Sequence, residues 1–298
     1  SRERPLHPKH AMSNRIAYIL AAALLGLPAS SHAQSCNQAA AEPAVVVVTG
    51  TDVKILTQSR FRIRPEDPSI TRSDVAFYGK LTRALVDFLK PFGKLENFEV
   101  NLHQKSKWGG SEDSGYLGRI TVTLRENLAE AAAVYIHEFG HMLLENLLPK
   151  SVGPVKYKFL EAEHTRRDPG GLPSERARNM ADIEQGLAEF FCDVLAVVFL
   201  KNPEALTTAT SEGVKRSFSA RHPVDTWTDT SQHTMYSPAR SHVGNYLETK
   251  GYQSQLEVVR TVLEALTAEL AARYENPPKR LDPAELNRSL IERIRWPN

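Results

Sequence analysis

Cysteine is scarce in this chain: 298 residues hold only Cys36 and Cys192, too few for a disulfide framework, so an apolar core must hold the fold. One bridge between them stays open in an oxidising compartment. Cys192 follows Phe190 and Phe191 and reads as a buried small apolar residue rather than a reactive thiol. An excess of one charge is lacking too. The 37 basic and 35 acidic residues give +2, and beyond residue 33 the balance is 33 against 34. That leaves no positive field to attract nucleic acid or an anionic membrane, so neither is expected as a partner. The apolar run from Ile16 to Leu27 is shorter than the about 20 residues that cross a bilayer. With 41% hydrophobic and 24% charged residues, the rest has an ordinary globular composition and is not expected to be disordered.

The same short apolar run has the form of an export signal. Arg15 precedes it, Pro28 ends it, and Ser31-His32-Ala33 follows in the small-x-small pattern of a cleavage site. The expectation is a secreted or periplasmic protein whose mature chain begins at Gln34, with residues 1–11 upstream of a start at Met12. Cys36 as a lipid anchor is the lesser alternative, because Ala33-Gln34-Ser35 is a poor lipobox. The chain then divides into an extension plus signal (1–33), an N-terminal tail with a strand at Ala44–Thr49 (34–60), and one domain (61–298).

Within that domain, Arg62–Ser69 reads as a linker carrying Pro65 and Pro68. Ser73 and Asp74 offer an N-cap for a helix through Leu89, closed by Pro91. Phe98–Leu102 is a strand, Gly109–Gly118 a polar glycine-rich stretch, and Arg119–Leu124 alternates as a half-buried strand. A long helix is predicted from Glu126 to Leu148, ended by Pro149, followed by a loop-rich stretch from Gly153 to Pro173. Further helices are predicted at Asp182–Leu200, Pro238–Lys250, Gln253–Tyr274 and Pro283–Ile294. The fold class is α+β: a mostly helical domain with a small mixed sheet.

The first long helix contains His137-Glu138-Phe139-Gly140-His141. Residues four apart differ by about 40° in azimuth, so both imidazoles leave one face close enough to share a metal. Zinc suits two imidazoles plus a carboxylate with one open position, and Glu138 stands where a general base for the metal's water belongs. Ile136, Phe139 and Leu143 make this helix apolar enough to be buried, where unpaired histidines would be costly. Gly140 costs a helix about 1 kcal/mol relative to Ala, which implies a close neighbour.

For the third ligand, the metzincin position falls on Leu147 and is excluded. Glu189 in the second apolar helix fits best, with Asp193 one turn on to support a ligand histidine. Glu161 has the thermolysin spacing, but Thr165 stands where its supporting Asp belongs. Glu184 ranks third, because Gln185 separates it from Gly186.

Taken together, His137, Glu138, His141, Glu189 and Asp193 resemble the HExxH…ExxxD signature of the gluzincin zinc peptidases. Over residues 115–200, His-Glu-Phe-Gly-His followed by Ala-Glu-Phe-Phe is similar to the anthrax lethal factor and Pro-Pro endopeptidase catalytic domains. The resemblance implies a zincin-like fold, one zinc per chain, and a protein or peptide substrate bound along an edge strand before the first active-site helix, a place that Arg119–Leu124 fits. It also implies an oxyanion-stabilising tyrosine seven residues before the glutamate ligand, where this chain has Asp182. Tyr236, His233, His242 and Arg240 are the substitutes offered by the side-chain-rich segment 233–246. The expected function is therefore a zinc-dependent peptidase, with an exported non-catalytic zinc-containing binding protein or lipoprotein as the alternative.

Overall fold

The computed structural model describes residues 55–56, 61–93, 95, 97–104, 113–116, 118–164 and 173–297. The expected signal, the strand at Ala44–Thr49 and Cys36 lie outside the described residues. Five strands form one mixed sheet: β1 (Ile55–Leu56), β2 (Phe61–Pro65), β3 (Phe98–His103), β4 (Ser114–Tyr116) and β5 (Arg119–Thr123), in the order β1-β2-β3-β5-β4. β2, β3 and β5 run parallel, and β1 and β4 pair antiparallel at the two edges. Seven α-helices cover the described residues: α1 (Arg72–Leu89), α2 (Leu128–Ser151), α3 (Gly153–His164), α4 (Glu175–Leu200), α5 (Ser237–Lys250), α6 (Gln255–Glu275) and α7 (Pro283–Arg293). The α+β, mostly helical class is the observed one. No helix among the described residues is long and apolar enough to cross a membrane.

Several local expectations change. The start of the Arg62–Ser69 stretch, read as a linker because of its prolines, belongs instead to strand β2, in which Phe61 and Ile63 are buried and Arg62 and Arg64 exposed. The α1 cap is Thr71 rather than Ser73, in a capping box where Thr71 Oγ1 accepts from Asp74 N–H and Asp74 Oδ2 from Thr71 N–H. Pro149 does not stop α2, which continues to Ser151. After it, α3 occupies the start of the predicted loop. The Gly153-Pro154 pair that suggested a loop instead opens a helix, where proline's missing N–H costs nothing. α4 begins a full two turns before Asp182, capped by Ser174.

The strand at Arg119–Thr123 is not the edge. β4 covers its outer side, so the edge before the long helix is Ser114–Tyr116, in the stretch the sequence presents only as polar and glycine-rich. β4 is held at one end by Asp113, which accepts from Thr123 N–H at 2.9 Å and pairs with Arg125 at 2.7 Å. Next along it, Gly115 lies against the backbone of Glu138: a Cβ there would stand 1.7 Å from the Glu138 carbonyl oxygen, so only glycine fits. The edge strand thus crosses directly over the middle of α2.

Candidate metal centre

α2 and α4 form the site by packing face to face in the core. Both are almost wholly apolar in their central turns, so burial drives them together, and small side chains set how closely they approach. The close neighbour that Gly140 implied is Cys192: a Cβ on Gly140 would meet Cys192 Sγ at 2.8 Å and its Cα at 3.0 Å. This crossing sets Glu189, one turn before Cys192, opposite the two histidines that flank Gly140.

The three donor groups converge. His137 Nε2 lies 3.2 Å from His141 Nε2 and 3.2 Å from Glu189 Oε2, and His141 Nε2 lies 3.3 Å from Glu189 Oε1. A tetrahedral zinc site with bonds of about 2.0–2.1 Å has edges of about 3.3–3.4 Å, close to the spacing of the two imidazole nitrogens, and each Glu189 oxygen faces one of them, so that one donor atom from each residue falls within 4.8 Å of the others. His137 and Glu189 are buried and His141 half-buried, and among the described residues theirs is the one His/Cys/Asp/Glu group with such convergence. Glu189 Oε2 is buried beside nitrogens of His137 at 3.2 Å and Arg216 at 3.5 Å without a well-aligned hydrogen bond to either, an acceptor that a cation would satisfy. These residues form a buried group able to bind a metal ion.

Behind them stands a charged network. Asp193 is completely buried, and its Oδ1 accepts from His137 Nδ1 at 2.9 Å, which orients the ring so that Nε2 faces His141 and Glu189. Two buried guanidinium groups grip the same carboxylate: Arg216 on both oxygens, Nε at 3.0 Å from Oδ2, and Arg240 Nε at 2.7 Å from Oδ2. Burial alone would raise the Asp193 pKa, but the two arginines hold it well below the usual carboxylate range. Arg216 also approaches Glu212 at 3.7 Å, and Glu212 Oε1 sits 3.0 Å from His233 Nδ1. One guanidinium therefore ties the support of His137 to that of His233.

The balance of charge also fits a metal. Glu138, Glu189, Asp193 and Glu212 face Arg216 and Arg240, an excess of two negative charges that a dication neutralises. The same field acts on His137: burial opposes its charged form, yet Glu189 and Asp193 outweigh burial and raise it to about 9. Burial likewise raises Glu189, but His137 and His141 pull it far below the carboxylate range. Glu138 is raised, chiefly by burial and against the pull of the two histidines.

All five residues read from the signature meet here: His137, His141 and Glu189 as the converging group, Asp193 behind His137, and Glu138 in the wall of the same cleft. The rival glutamates do not join. Glu161 is exposed on α3, and Glu184 is paired with Lys156. Of the oxyanion substitutes, only His233 lines the cleft, 3.8 Å from Glu189 Oε2. Tyr236 is fully buried against Gly186, Arg240 is committed to Asp193, and His242 accepts from Trp296 Nε1. Asp182 accepts from Gln232. Arg216 and Glu212 carry no local sequence signal; the one clue is that a buried carboxylate such as Asp193 needs a cation somewhere in the chain.

The cleft holds about 1150 Å³ and runs from Ser114 and Gly115 of β4 past Glu138 and the histidines to Lys156 on α3 and Leu270 on α6. No family model, no curated protein and no solved structure matches this chain.

Proposed function

We propose that the protein is a zinc-dependent peptidase acting on protein or peptide substrates. The observation that carries the proposal is the convergence of His137 Nε2, His141 Nε2 and Glu189 on one point at ligand spacing, with Glu138 beside them in an open cleft. His137, His141 and Glu189 would hold the ion, and a zinc ion bound there supplies Lewis acidity and brings a water's pKa to about 7. A purely structural zinc site closes its fourth position with protein. Here the group opens onto the cleft.

The chain's own residues then have distinct tasks. Glu138 takes a proton from the attacking water as its oxygen bonds to the scissile carbonyl carbon. The same carboxyl returns that proton to the amine nitrogen as the carbon–nitrogen bond breaks. A carboxylate raised by its buried setting is suited to both halves of that transfer. His233, oriented through Nδ1 by Glu212, presents Nε2 to the cleft, and as an imidazolium, with both nitrogens carrying protons, it would donate from Nε2 to the developing oxyanion. Among the described residues β4 is the edge strand at the cleft, along which an extended peptide would pair, the role expected of Arg119–Leu124.

Glu138→Gln tests this reading. The amide keeps the size of the side chain but cannot accept the proton, so bound zinc should stay at one per chain while peptide cleavage falls by about 10²–10⁴-fold. Zinc-loaded wild type that cleaves nothing in a random peptide library would overturn the peptidase proposal and favour a binding role.

A further inference from the structure

Glu184 does not reach the metal group, yet it lines the same cleft. Both its oxygens accept from Lys156 Nζ, at 2.7 and 2.8 Å, and Oε2 also accepts from Tyr274 O–H. The pair spans from α4 to α3 at the end of the cleft away from β4. Leu148, Val152 and Leu270 line that end with it. Glu145, exposed on α2, stands at the rim.

Distance puts this end within reach of a bound substrate. Glu184 precedes Glu189 by five residues on one helix, a rise of about 7.5 Å. Five residues also turn about 140° around the helix axis, so the two carboxylates stand farther apart than the rise, and at about 3.3–3.6 Å per residue of extended peptide the pair lies about two to four residues from the scissile bond. We propose that Lys156 and Glu184 are specificity-determining residues: closing the cleft as a neutral pair among apolar walls, they select substrates with a large uncharged apolar side chain about two to four residues from the cleaved bond. This rests on the peptidase reading and adds its substrate class.

The physical reason is charge compensation. With each partner cancelling the other, a charged substrate side chain gains no counter-ion from the pair and loses hydration against Leu148, Val152 and Leu270. An aliphatic or aromatic side chain loses only contact with water. Removing one partner leaves the other as a free charge facing the substrate. Because the pair is partly exposed, 39% for Lys156 and 30% for Glu184, it contributes little to stability and the variants should fold.

The experiment compares zinc-loaded wild type, Lys156→Met, Glu184→Gln and the exchanged double variant Lys156→Glu/Glu184→Lys on one peptide library, with zinc content and Tm measured on each. Wild type should favour Leu, Phe or Met at one position near the cleaved bond. At that position Lys156→Met should gain Lys and Arg, and Glu184→Gln should gain Asp and Glu, each by roughly twofold to fivefold in kcat/KM, the scale of a partly exposed ion pair. The exchanged pair should restore the wild-type profile with zinc unchanged throughout. Active, zinc-loaded single variants that keep the wild-type profile would overturn the specificity role and leave the peptidase reading standing. Wild type that cleaves no peptide overturns both.

Discussion

Replacing Asp193 by Asn removes one negative charge from between two buried guanidinium groups while leaving the shape of the side chain unchanged. Arg216 and Arg240 are 4% and 0% exposed, so neither can turn to water when the carboxylate is lost. Breaking a buried ion pair by removing one partner costs about 3–5 kcal/mol, and here two cations are stranded, so the upper end of that range is expected. At roughly 2–4 °C per kcal/mol for a domain of this size, Tm should fall by about 10–20 °C. Support of His137 weakens as well, and metal affinity should drop by about 10–100-fold. The diagnostic step is to add Arg240→Met, which removes the surplus cation and leaves Arg216 as the one guanidinium beside the new amide. The double variant should be more stable than Asp193→Asn alone, whereas Arg240→Met in wild type should be destabilising. Urea unfolding of the four proteins, metal-free and zinc-loaded, reads the cycle. The folded-state pKa of Asp193 is lowered, so its contribution is complete above its unfolded value of about 3.9 and lost only as pH falls through the folded value. The gap between wild type and Asp193→Asn should therefore hold from about pH 5 to 6.5 and, in the metal-free protein, narrow toward about pH 9, where His137, raised in part by its bond to Asp193, loses its proton. Additive effects of the two substitutions, or a cost under about 1 kcal/mol for Asp193→Asn, would refute the buried-cation reasoning.

Other consequences are simpler to measure. His137→Ala, His141→Ala and Glu189→Ala should each lose bound metal on dialysis, whereas Glu161→Ala should keep it; elemental analysis of the four decides between Glu189 and the thermolysin-like spacing. In the metal-free protein His137 is raised to about 9, so below that pH the ion must displace a proton. Zinc affinity should rise about tenfold per pH unit from pH 7 to 9, with proton release seen by calorimetry in two buffers; affinity independent of pH would contradict the site's negative field. By the same sign, the His137 contribution to metal-free stability is complete below about pH 6.5 and lost as pH rises through about 9. We propose that the chain is exported and cleaved after Ala33, so that N-terminal sequencing of the mature form should begin at Gln34; an uncleaved N-terminus would overturn this, and a modified Cys36 at that end would place the protein on a membrane surface instead.

The sequence by itself determined what lies within a helical turn or two. The histidine pair, Glu138 and the Glu189–Asp193 pair are set by i, i+4 geometry, which is the same wherever a helix forms, and the apolar runs around them were enough to predict those helices and their burial. Gly140 announced a close crossing for the same local reason. Tertiary structure alone decided which glutamate faces the histidines, because the Gly140–Cys192 crossing, and not spacing along the chain, brings Glu189 to them and leaves Glu161 exposed. It also decided the edge strand: three residues centred on a glycine have too little β-propensity to be read, and only pairing with Arg119–Thr123 and contact with Glu138 makes them a strand. Arg216 and Arg240 reach Asp193 across 23 and 47 residues of chain, from a 3-10 turn and from a helix that shows no reason to bury a cation. Nothing periodic encodes such pairs. A carboxylate in a dry interior must find a counter-charge, but only the folded packing selects which arginine supplies it.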